Sequence, residues 1–121
     1  MDNSVSLTGN LTRDPELRFT NGGMATASFG MAINSRRKNQ ATGEWEDSDP
    51  QFFDVSCFGT LAENVSECLQ RGQRVVVAGK MSYRSWESND GEKRSKVEVV
   101  ADSCGPDLRW ATAVVTRTEK S

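Results

Sequence analysis

The 121-residue chain predicts an all-β fold: a five-stranded Greek-key barrel with one short helix between strands three and four and an extra C-terminal strand. Three observations carry this expectation. Apolar residues alternate with polar ones in the segments that begin near Val5, Ala25, Gln51, Val75 and Ser95, the period of a half-buried strand. Two strong turn sequences, Asn21-Gly22-Gly23 and Asn89-Asp90-Gly91, separate such segments. Only residues 60–69 repeat at helical spacing.

Each element follows from local chemistry. Val5, Leu7, Gly9 and Leu11 form one face of a first strand that ends near Asp14-Pro15. Ala25, Ala27, Phe29, Met31 and Ile33 line a long second strand. Residues 35–50 are polar and contain Thr42-Gly43, so they are expected to form a long hairpin loop that closes onto a third strand, Gln51 to Phe58. Thr60-Leu61-Ala62-Glu63 fits a capping box, the Thr hydroxyl and Glu carboxylate each satisfying an orphan amide. Leu61, Val65, Cys68 and Leu69 then supply an apolar helix face, and Arg71-Gly72 a basic last turn and a stop. Val75, Val77, Gly79, Met81 and Tyr83 start a fourth strand whose partner carries Ser95, Val97, Val99 and Ala101. Gly105-Pro106 breaks the chain, and Leu108 to Thr116 has the β-branched and aromatic content of a sixth strand. Three strands, a helix and a hairpin in this order describe an OB-fold, with an SH3-like barrel or a sandwich as the competing architectures.

Composition narrows the function classes. The sequence has no histidine, which removes Ser/His/Asp and Cys/His nucleophilic sites, HExxH zinc sites and any imidazole proton shuttle. Cys57, Cys68 and Cys104 show no CxxC spacing, so buried reduced thiols are expected. No metal or cofactor is implied. The longest aliphatic run, Val75 to Ala78, is far short of the roughly 20 residues that span a bilayer. Met1-Asp2-Asn3 opens no secretory segment, and a soluble, cytoplasmic, nucleoid-associated protein is expected.

The net charge of −2 argues by itself against a polyanionic partner, but the charges are sorted along the chain. Residues 74–96 hold six bases against three acids, Arg36-Arg37-Lys38 forms a second basic cluster, and five acids gather in 44–54. Alternation in strand three sets Phe53, Val55 and Cys57 against Phe52, Asp54, Ser56 and Phe58, and one strand cannot turn both faces to one core. The polar company of Asp54 and Ser56 marks Phe52 and Phe58 as the outer pair. In strand four, Lys80, Ser82, Arg84 and Trp86 share the face opposite Val75, Val77 and Met81.

Exposed aromatics interleaved with cations suit single-stranded nucleic acid, whose unpaired bases stack on flat side chains while Lys and Arg follow the phosphates. Packing under a loop or against another subunit competes for Phe52 and Phe58, cover of the barrel mouth for Trp86, and a plain solvated loop for Arg36-Arg37-Lys38. Trp45 stands among acids, which favours loop packing. Trp110 suits packing or a subunit contact.

Several segments together resemble the bacterial single-stranded DNA-binding proteins: Gly9 to Phe19, Phe58 to Asn64, Arg71-Gly72 ahead of Val75 to Gly79, and Arg84-Ser85-Trp86 ahead of Asp90-Gly91. The Ala41 to Trp45 loop and Gly105 to Ala113 are most similar to the actinobacterial type, which a phage or plasmid copy would share. The resemblance implies an OB-fold homotetramer that protects single-stranded DNA, without strong sequence preference, in DNA replication, recombination and repair. It places the stacking aromatics on Phe52, Phe58 and Trp86. Many members carry another aromatic where Arg37 stands, and a His where Phe53 stands. Leu108 to Thr116 is placed to hook across subunits, as the extra strand of the actinobacterial type does. The usual flexible linker and acidic tip do not appear before Ser121; a trimmed chain and a naturally tail-less one stay open, and recruitment of replication and repair proteins is not claimed.

The expectation is thus a non-enzymatic binding protein. Residues 1–105 form the OB-fold single-stranded DNA-binding domain and 106–121 the C-terminal strand and short tail. Phe52, Phe58 and Trp86 are base platforms. Arg36, Arg37, Lys38, Lys80, Arg84, Arg94 and Lys96 are phosphate contacts, and Leu108 and Trp110 are subunit contacts. The alternatives are an OB-fold accessory module of the primosome type, acting mainly through protein contacts, and a small enzyme with a Cys57 or Asp54 nucleophile.

Overall fold

The computed structural model describes residues 3–34, 36–47 and 49–118, with the side chains of Arg37, Asp47 and Arg84 outside the description. The strands are β1 (Ser4–Leu11), β2 (Glu16–Phe19), β3 (Ala25–Ile33), β4 (Arg36–Lys38), β5 (Trp45–Asp47), β6 (Gln51–Phe58), β7 (Arg74–Glu87) and β8 (Lys93–Pro106), with one helix, α1 (Thr60–Cys68). β1, β7, β8, β6 and β3 are hydrogen-bonded in that order, and β3 pairs back onto β1. This closes a ring of five strands. The β6–β8 pairing is parallel and the other ring pairings are antiparallel, which is the OB-fold expected from the element order.

Inward side chains fill the ring. Leu11, Ala25, Ala27, Phe29, Met31, Val55, Cys57, Val75, Val77, Val99 and Ala101 are buried, and α1 adds Ala62, Val65 and the following Leu69. Phe53 and Leu61 pack on this core from its margin. Cys68, placed on the helix's apolar face by spacing, is instead exposed, and all three cysteines are free thiols.

The helix start differs from the expected capping box. Gly59 is the N-cap, at φ 69°, and no side-chain hydrogen bond caps the helix. Thr60 is already helical. A left-handed residue open to glycine alone lets the chain turn from β6 straight into α1, and the Gly59 N–H donates to the Ala25 carbonyl at 2.8 Å. The last turn holds no basic residue. Arg71 lies beyond it, and its backbone N–H donates to Asp14 Oδ1 at 2.8 Å.

Three further differences concern strands. Residues 16–19, unassigned by alternation, pair with β3 as β2. The long polar loop is itself a small two-stranded sheet, β4 with β5. Gly105-Pro106 does not interrupt a strand but ends β8, with Val75 opposite Pro106.

The expected sixth strand, Leu108 to Thr116, is absent from the single chain: residues 107–118 form no strand among the described residues. A strand needs an edge to receive its backbone hydrogen bonds, and this segment runs instead along α1. It encloses a groove of about 790 Å³ with Cys68, Leu69, Arg74 and Trp110 in its lining, and Asn64 Nδ2 donates to Thr118 Oγ1 at 3.4 Å.

Candidate nucleic-acid interface

Strand register joins the aromatic and basic faces into one surface. In β6 the inward set is Val55 and Cys57, so Phe52, Asp54, Ser56 and Phe58 point outward. The parallel pairing sets Asp54 beside Glu98 and Ser56 beside Val100. Those β8 residues lie opposite Ser82 and Lys80 of β7, and the same ladder continues through Arg84 opposite Lys96 to Trp86 opposite Arg94. Residues directly opposite on paired strands share a face. The outer surface of β6, β8 and β7 is therefore continuous from Phe58 to Trp86.

Phe52 is 70% exposed, Phe58 48% and Trp86 46%, values that leave a large ring face open in each case. Phe52 and Phe58 are six positions apart, about 20 Å along a strand, so no single flat ring could rest on both. Trp86 stands near the end of the β7–β8 hairpin, whose turn is held by the Ser88 N–H donating to the Glu92 carbonyl at 2.8 Å. Gly79 permits this hairpin to leave the barrel. A Cβ there would lie 2.8 Å from Ala101 Cα, and the ladder shifts register between Ala78 and Gly79.

Cations on this surface are partly engaged. Lys96 Nζ lies 2.9 Å from Asp54 Oδ2, and Arg13 Nη1 lies 3.6 Å from Asp54 Oδ1. Arg94 Nη2 donates to Glu92 Oε2 at 3.2 Å. Lys80 is exposed on the same face. Arg84 belongs to it by backbone register, while its side chain, like that of Arg37, lies outside the described residues.

Arg36, Arg37 and Lys38 are not part of this ladder. They form β4, in the separate hairpin, opposite Asp47, Glu46 and Trp45 respectively. The acids that the sequence keeps apart from the bases are thus folded back onto them. Trp45, expected to pack in the loop, is 61% exposed, because a two-stranded ribbon has no second layer to cover it.

Trp110, expected to pack, is 69% exposed in the single chain. The Arg74 and Arg109 guanidinium carbons each lie 4.8 Å from its ring centroid, within cation–π range. Arg74 Nε also donates to Asp107 Oδ2 at 2.7 Å, and this bond, followed by that from the Arg109 N–H, holds the Asp107 carboxyl below its ordinary range. Leu108 is exposed as well.

The candidate nucleophiles of the enzyme alternative are badly placed. Cys57 is fully buried and its thiol is pushed up to about 11 by burial, and burial likewise pushes Cys104 to about 12. A thiol so raised supplies little thiolate near neutrality. Asp54 is held by two cations. Alternation alone pointed to Phe52, Phe58 and Trp86, but not to Arg13, whose contact with Asp54 joins residues 41 positions apart in sequence.

A closed OB barrel with a continuous outer face of open aromatic rings and cations defines an oligonucleotide-binding class of fold. Comparison with known proteins gives the particular family. The family model described as the single-strand binding protein family matches residues 2–107. The chain is 46% identical over 120 residues to the single-stranded DNA-binding protein of Mycobacterium tuberculosis, covering 99% of this chain and 73% of that protein. It is 45% identical over 119 residues to the protein of the same name in Corynebacterium glutamicum, covering 98% of this chain and 53% of the relative. Among solved structures, the small single-stranded DNA-binding protein of Streptomyces coelicolor matches with a TM-score of 0.75 at 28% identity, over 88% of this chain and 95% of that one. This chain belongs to the single-strand binding protein family.

Proposed function

We propose that the protein binds and protects single-stranded DNA without strong sequence preference, during replication, recombination and repair in the bacterial cytoplasm. The observation that carries this reading is the unbroken outer face of β6, β8 and β7, where Phe52, Phe58 and Trp86 stay exposed among Lys80, Arg94 and Lys96. Unpaired bases stack on the rings, and the cations follow the backbone without reading base edges. Arg84 continues the cationic row by register, and Arg36, Arg37 and Lys38 offer further phosphate contacts on the neighbouring hairpin. Residues 1–105 act as the binding domain. Residues 106–121, with Leu108 and Trp110, act as the contact element of a homotetramer. A primosome-type accessory role is the weaker reading, because it gives no reason for three open rings on one charged face.

Fluorescence titration with oligo-dT and with a duplex of equal length tests the reading. Single strands should bind far more tightly, and affinity should fall as salt rises, because phosphate contacts release counterions. Equal affinity for both forms, or none for either, contradicts it.

A further inference from the structure

We infer that Asp54 is an internal competitor for the DNA backbone, occupying the place of a phosphate between two base platforms and holding affinity below what the cations of this face would otherwise give. This inference rests on the single-strand-binding reading. Asp54 projects from the outer face of β6, in the interval between Phe52 and Phe58. Its two carboxylate oxygens face different cations: Oδ2 meets Lys96 Nζ at 2.9 Å, and Oδ1 meets Arg13 Nη1 at 3.6 Å. One negative charge shared by two oxygens, between an ammonium and a guanidinium, is the arrangement these groups would otherwise offer to a phosphodiester.

The fold makes room for this contact. Gly30 of β3 stands directly across from Asp54, and a Cβ on Gly30 would lie 2.9 Å from Arg13 Nη1. The bare backbone at Gly30 leaves the space over β3 that Thr12 Oγ1 and the Arg13 guanidinium occupy. Glu98 is the Cα partner of Asp54 in the parallel register, which puts a second acid on the outer face that a strand stacked on Phe52 and Phe58 would cross. Binding must exchange Asp54 for phosphate at Lys96 and Arg13, and a residual negative charge remains beneath the strand. An exposed pair of this kind is weak in water, which makes the exchange easy and the carboxylate a brake rather than a block.

The test measures oligo-dT affinity of the full chain, wild type against Asp54→Asn and, as a second charge-removing variant, Asp54→Ser, from low to high salt, with melting temperatures alongside. Both variants should bind about three- to tenfold more tightly at low salt, and the gain should shrink as salt rises, since it is electrostatic. A merely structural role for Asp54 would move the melting temperature without a salt-dependent gain. If the wild type binds oligo-dT and both variants bind equally or more weakly at every salt concentration, the inference alone fails. If the folded wild type does not bind, the function proposed above fails and takes this inference with it.

Discussion

Trp86 and Trp110 are both exposed tryptophans near guanidinium groups or their backbone partners, yet their surroundings differ. Trp86 lies opposite Arg94 on the face shared with Phe52 and Phe58. Trp110 lines the groove beside α1, its ring flanked by Arg74 and Arg109. Trp86→Ala should weaken oligo-dT binding by about 1–3 kcal/mol per site and remove much of the binding-induced quenching of tryptophan fluorescence. It should leave the melting temperature nearly unchanged, since Trp86 belongs neither to the core cluster nor to the side chains packed on it. A variant that melts early but binds normally would reverse this assignment. The alternation that marked Phe52, Phe58 and Trp86 was legible because a strand has only two faces, and residue identity shows which face a core accepts. The ion pairs of Asp54 were not legible. They depend on side chains from β6, β8 and the loop after β1 meeting in space.

The β7–β8 hairpin is the element that lifts Trp86 away from the barrel, and its geometry turns on Gly79. Here the Val100 carbonyl and Ala101 Cα approach so closely that no side chain fits without displacing backbone, and β8 takes up one additional residue, Asp102, against β7. Gly79→Ala should therefore destabilise the fold by about 1–3 kcal/mol, as overpacking does, read as a lower midpoint in urea. An unchanged midpoint would show that the two strands separate at no cost. The sequence marks Gly79 only as a small residue in an alternating strand, because a bulge is a property of the pair and neither strand encodes it alone. Helix α1 teaches a related lesson. Thr60 and Glu63 have the spacing of a capping box, but Gly59 reaches the left-handed region and starts the helix one residue earlier than the box allows.

The chain as a unit has too much surface for a compact monomer. Its accessible area is 9188 Å², against roughly 6,400 Å² for a folded monomer of this mass. Exposed apolar side chains stand on the β7–β8 hairpin, Tyr83 and Val97, and after β8, Leu108, Trp110, Val114 and Val115. Such surface favours association, which is why a tetramer is proposed. Sedimentation at micromolar concentration should show a tetramer. Trp110→Ala, by deleting an anchor of the terminal segment, should shift it toward smaller species while leaving the oligo-dT contacts of each subunit mostly intact. A wild-type protein that sediments only at monomer mass, or a Trp110→Ala tetramer that no longer binds DNA, would contradict the division of labour between the two segments.

Alternation, turn sequences and one helical stretch were enough to set the barrel, its helix and the outward aromatics, because each is a local pattern read against a core that accepts only apolar side chains. Local pattern also marked Leu108 to Thr116 as a strand. Strand propensity describes a residue's fitness for a pleated surface, but a strand exists only where another edge receives its hydrogen bonds, and in the single chain this segment lies beside α1 and pairs with no strand among the described residues. Charge followed the same division. The sequence separates acids from bases, whereas hairpin and sheet register set Asp47 and Glu46 across from Arg36 and Arg37 and bring Lys96 to Asp54. Coulomb attraction acts over a few ångströms of space, and only the closed barrel determines which residues lie that close.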